Sequence, residues 1–157
     1  MRIEHFALLG LVVVAFCAAA KQAKPGPSIH ALRLRPGQDL RVEIERFAKG
    51  QDLQAGFIVT CVGSLDRTAL RLANQEDATV FEGPMEIVSL VGTLSPDGVH
   101  LHLSVADKTG AMVGGHLMQG CRVYTTAELV IGEANDLQFR RVTDPETTYR
   151  ELTIEPR

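Results

Sequence analysis

The chain has 157 residues, enough for one domain with a real core. Its 45% apolar and 22% charged residues are the composition of a globular protein, and a formal net charge of −3 argues against a strongly basic surface built to neutralise phosphates.

Residues 1–20 differ from the rest. A short start carrying Arg2 leads into the uncharged run 6–20, FALLGLVVVAFCAAA, which Lys21 ends. The run is shorter than the roughly 20 apolar residues of a membrane span, and Ala18 and Ala20 form an A-x-A cleavage pattern. A secretory signal peptide is expected here, with an uncleaved anchor or a mis-assigned start codon as the alternatives. Cleavage would place the protein in the secretory lumen or outside the cell, without a stable membrane span. Pro25-Gly26-Pro27 makes 21–28 a linker, and 29–157 is expected to be a single domain. Cys17 would leave with the signal. Cys61 and Cys121 lie in apolar, strand-like contexts and read as buried free thiols rather than a disulfide framework.

Segment 29–35 alternates, with Leu32 and Leu34 on one face and Arg33 and Arg35 on the other, as in a half-buried strand. Pro36-Gly37 ends it. Asp39 is suited to cap a helix in which Leu40, Ile44, Phe47 and Ala48 recur at helical spacing and Gly50 marks the stop. Strands follow at 57–62, 68–72, 79–81 and 85–94, with breaks at Gly63-Ser64, the polar turn 74–78 and Gly83-Pro84, and a bulge expected at Gly92. Ser95-Pro96-Asp97-Gly98 is a turn, 99–105 and 111–115 form a strand pair, and 122–131, 136–142 and 151–154 complete the strands. The fold class is α+β: an antiparallel or mixed sheet packed around one main amphipathic helix.

The segment 99–121 holds three of the five histidines. His100 and His102 are two apart on a strand, so both point to one face. Asp107 to Gly110 has turn composition, with Asp107 shaping the turn, and the returning strand ends in Gly114-Gly115-His116, whose glycines permit close backbone approach. If His102 faces His116, all three rings share a face and offer a three-imidazole metal site with an open position. If His102 faces Gly115, His116 points away unless the glycines bulge. Solvent-facing strand histidines are the competing reading. Glu86 is a weak candidate for a general base, with a salt bridge as its alternative. Cys121 is a remote candidate for a fourth ligand, His30 reads as solvated, and Arg35 and Arg71 are candidates for anion binding or an interface, against a reading as solvated arginines. There is no nucleophile–histidine–acid triad, phosphate-cradling glycine loop or dinucleotide fingerprint.

Several stretches taken in order resemble the plant and prokaryote conserved (PPC) domain. They are Arg35-Pro36-Gly37, Ala55-Gly56-Phe57, Val62-Gly63-Ser64, Ala69-Leu70-Arg71, Gly83 with Glu86-Ile87 and Ser89-Leu90, His100-x-His102, Asp107 with Gly110, Gly114-Gly115-His116 and Gly120-Cys121. The resemblance covers about 29–142. It implies a helix held against an antiparallel sheet, a homotrimer, and a divalent metal, zinc first, bound by His100, His102 and His116. Two departures limit it. The plant Gly-Arg-Phe-Glu-Ile segment here reads Gly83-Pro84-Met85-Glu86-Ile87, and Arg33-Leu34-Arg35-Pro36 lacks the central glycine of an AT-hook. Neither a plant-type partner contact nor DNA binding is carried over. The functions in competition are a trimeric metal-binding module that recognises a small ligand or partner, a zinc-dependent hydrolase, and a non-catalytic oligomerisation scaffold.

Overall fold

The computed structural model describes residues 26–157, so the expected signal peptide and most of the expected linker lie outside the described residues. The elements are β1 (Ser28–Leu34), α1 (Leu40–Gly50), β2 (Gly56–Arg71), β3 (Thr79–Ser95), β4 (Gly98–Ala106), β5 (Met112–Leu117), β6 (Arg122–Glu133), β7 (Leu137–Thr143) and β8 (Arg150–Pro156). Six strands form one sheet in the order β1-β6-β2-β3-β4-β5, while β7 and β8 form a separate hairpin. Every pairing is antiparallel.

The sheet is not open at its β5 end. β5 pairs with β4 along its length and also with the end of β2, through Leu70–Leu117 and Arg71–His116. Strands β2 to β5 therefore curl into a closed ring. Leu65, Leu70, Leu101, Leu103, Val105, Leu117, Leu129 and Ile131 are fully buried in one hydrophobic cluster, joined by Leu40, Ile44 and Ala48 of α1.

Asp39 begins the helix as expected. One carboxylate oxygen accepts from Val42 N at 3.0 Å, and the other accepts from Gly120 N at 2.6 Å, tying the cap to the turn that leads into β6. Gly50 is the last helical residue, and the left-handed residue that follows is Asp52, with φ of 53°.

Three sequence expectations are corrected. The expected break at Gly63-Ser64 is absent: β2 runs through it, and the irregularity appears as shifts of register against β6. Gly83-Pro84 does not end β3 either. The pairs Leu65–Met85 and Arg67–Glu82 leave one extra residue on β3 between them, a bulge that accommodates the proline's missing N–H. The bulge expected at Gly92 lies instead at Val88, between the pairs Ile87–Val105 and Ser89–Ser104. Gly92 stays in register with Leu101 and serves another need: with φ of 142°, an added Cβ would lie 2.0 Å from the carbonyl oxygen of His100. That position closely backs the backbone of a site residue.

The β7–β8 hairpin is fixed to the main sheet at several points. Phe139 is buried and its N–H donates to the Gln54 carbonyl at 2.9 Å. The N–H of Arg141 donates to Asp97 Oδ2 at 3.0 Å, in the turn between β3 and β4.

Candidate metal centre and its cleft

His100 and His102 lie on β4, opposite Thr93 and Val91 of β3. On the other side, His102 lies directly opposite His116 of β5. Directly opposed residues of antiparallel strands project to the same face, so this register puts the three imidazoles together. Their candidate ligand nitrogens all lie within 4.8 Å of one another, and the ring centroids are 4.4–5.1 Å apart. Arg71 opposes His116 from β2 and so joins the same face.

The glycines before His116 have a geometric role. An added Cβ on Gly115 would lie 2.7 Å from the Arg71 carbonyl oxygen, so only glycine lets β5 approach β2 this closely. Asp107 shapes the β4–β5 turn, accepting from Thr109 N and Oγ1 and from Ala111 N.

Two clefts meet at the histidines. The larger, of about 770 Å³, is lined by His100 and His116 together with Arg41, Arg71, Arg141 and Arg150. The smaller, of about 410 Å³, is lined by His102, His116 and Arg71. Burial, followed by the positive charge of Arg71, depresses the pKa of His116 to about 4. Burial and then Arg141 lower that of His100. Both rings are held neutral, the form that ligates metal. His100 Nε2 is buried without a hydrogen-bond partner, and Arg141 Nη1 lies 3.4 Å from its Nδ1. Arg141 Nη2 donates to Thr93 Oγ1 at 2.7 Å.

The remaining candidates lie elsewhere. Glu86 is exposed on β3, opposite Ser64 and Ala106, and lines neither cleft. Cys121 is buried, with its thiol donating to Ala69 O and accepting from Ala69 N, both at 3.2 Å. Burial raises its pKa to about 11, and it is outside the histidine cluster. Cys61 is likewise a free, buried thiol, pushed up to about 12 by desolvation. His30 is half-buried rather than freely solvated: its ring packs edge-on against Phe47 at 5.8 Å and its Nε2 is buried. The Arg35 backbone N–H donates to Gln38 Oε1 at 2.7 Å, and this arginine lines neither cleft. Arg141 and Thr93 were not expected from the sequence. They are 48 residues apart, and only docking of the C-terminal hairpin brings them together.

A family match to the Plants and Prokaryotes Conserved (PCC) domain spans residues 21–135. The chain is 51% identical over 142 residues to the bifunctional protein GlmU of Synechococcus sp. (strain JA-3-3Ab); that match covers 88% of this chain and 23% of the relative. The chain thus spans about a quarter of the length of this curated relative. Among solved structures, a hypothetical protein from Salmonella cholerae-suis is 46% identical with a TM-score of 0.82, covering 83% of this chain and 95% of that one. A metal-containing protein from Archaeoglobus fulgidus is 25% identical with a TM-score of 0.69, covering 80% and 93%. The ordered motifs, the fold with its β4–β5 histidines and the span of the family match agree: the chain belongs to the Plants and Prokaryotes Conserved domain family.

Proposed function

We propose that this protein is a homotrimeric module that holds a divalent metal, zinc first, on His100, His102 and His116 and uses the adjoining cleft to bind a small ligand. The observation that carries this reading is the convergence of three ring nitrogens within 4.8 Å. The donor set fits the ion. Three imidazoles suit zinc and its neighbours in the first transition row. Two of the three are held neutral, and the buried, partnerless Nε2 of His100 lacks the partner that an ion would provide. When bound, the metal supplies a Lewis-acid centre with a position open to a ligand. The metal-containing relative from Archaeoglobus fulgidus supports the reading.

Ligand binding is preferred to hydrolysis on a specific observation. Glu86, the candidate base, lies outside both clefts, and although Glu76, Asp97 and Glu151 line the larger one, none of them is hydrogen-bonded to a ring of the cluster. The trimer is supported by Val59 and Val62 on β2 and Val88 and Val91 on β3, each more than half exposed. Apolar groups of that kind on adjacent strands favour an interface between copies.

The test is elemental mass spectrometry combined with light scattering on protein purified without a histidine tag. About one ion per chain is expected, with uptake reduced at least about tenfold in His100→Ala and His116→Ala. A metal-free protein that gains neither an ion nor thermal stability from added zinc would sink the metal reading. A monomer by light scattering would remove the trimer.

A further inference from the structure

The C-terminal hairpin begins after the residues matched to the family, yet it builds one wall of the histidine cleft. Arg141 is set there with care. Its backbone N–H is held by Asp97, its carbonyl oxygen accepts from Arg150 Nη2 at 2.9 Å, and its Nη2 donates to Thr93. Its Nε is buried without a partner. Arg71 approaches from the opposite side, on β2, and among the described residues its guanidinium makes one hydrogen bond, a long one of 3.4 Å to the Gln75 carbonyl. Among the described residues, neither guanidinium is in an ion pair, whereas Arg41 is paired with Glu45. Three carboxylates line the cleft, Glu76, Asp97 and Glu151; that of Asp97 holds the Arg141 backbone, that of Glu151 binds the Thr147 hydroxyl at 3.1 Å, and the Glu151 charge offsets part of that of Arg141 without a direct ion pair.

A bound ion would sharpen this imbalance. The contact from Arg141 Nη1 to His100 needs a lone pair on Nδ1. An ion on Nδ1 takes that lone pair. An ion on Nε2 places the ring's proton on Nδ1. Either way Arg141 loses an acceptor and faces additional positive charge. A half-buried guanidinium in that position favours an anionic partner, and one with two oxygens matches its planar fork.

We propose that Arg71 and Arg141 bind the carboxylate or phosphate group of a small organic anion in the cleft beside the histidines. The inference that metal loading strengthens this binding rests on the metal reading; the arginine pair itself is testable with or without an ion.

The test is calorimetric titration of the full chain, zinc-loaded and metal-free, with acetate, methyl phosphate and neutral acetamide, while zinc content is measured on the same samples. Saturable binding of acetate or methyl phosphate but not of acetamide is expected. Arg141→Gln and Arg71→Gln should each weaken it at least about tenfold, the scale of a lost hydrogen bond to a charged group. Arg33→Gln, an exposed arginine bonded to Thr126, should leave it unchanged. Arg141→Lys keeps the charge without the planar fork and should fall between. Unchanged melting temperatures would exclude misfolding, and Arg71→Gln provides the decision if Arg141→Gln does not fold. Preference for one probe would identify a carboxylic acid or a phosphate ester as the source. No saturable binding of either anion, or equal binding by the glutamine variants, would overturn the proposal. Failure to take up zinc would count against the metal reading alone.

Discussion

His116 stays neutral under conditions in which a free imidazole takes up a proton. Burial is the main cause and the charge of Arg71 the next. The sign of the pH dependence follows. Between about 6.5 and about 4 the unfolded chain binds a proton at this position that the folded chain does not. The folded state is therefore fully favoured above that window and loses stability as pH falls through it. Urea midpoints of the metal-free protein should decline across the window, and His116→Gln should flatten the decline. A midpoint independent of pH there would contradict the environment assigned to this ring. The individual residues were unevenly legible. His100 and His102 follow from the two-residue period of a strand, and the turn at Asp107 from its composition. Arg141 is 41 residues from His100 and carries no local signal, because its role depends on where a separate hairpin docks.

Strands β3 and β4 show why glycine is required behind the site. Gly92 has a positive φ, and an added Cβ would strike the His100 carbonyl oxygen. Gly92→Ala should lower the unfolding free energy by about 1–3 kcal/mol from the strained backbone alone, with more from the collision. Denaturant titration would show the loss, and zinc affinity should fall with it because His100 must shift. An alanine variant as stable as the parent would mean that β4 can move away freely. At this scale the sequence identified the existence and type of the elements well: helix α1 starts at the Asp39 cap as read. It failed at the glycine-containing breaks. Gly63 and the Gly83-Pro84 pair have the composition of turns, but the neighbouring strands absorb them as changes of register. Such tolerance comes from pairing partners distant in sequence, and so no local pattern reveals it.

For the whole molecule, the main expectation concerns assembly. If the exposed valines of β2 and β3 form the contact between copies, Val62→Glu and Val88→Glu should shift the light-scattering mass to that of a monomer while the circular dichroism spectrum stays the same. Unchanged mass would place the interface elsewhere. The decisive register, His102 opposite His116, was legible only as one of two alternatives, since the length of the β4–β5 turn had to be known to choose between them. The closure of β5 onto β2 was not legible at all, because the pairing is only two residues long.

That short closure has a consequence for motion. It is a seam, and short ladders open before long ones. Arg71 stands on one side of the seam and the three histidines on the other. A guest gripped by both sides would act as a clasp, and by linkage its binding energy would oppose opening. Amide exchange at Leu70 and Leu117 should then slow when the cleft is filled, reporting occupancy from the backbone rather than from the site itself.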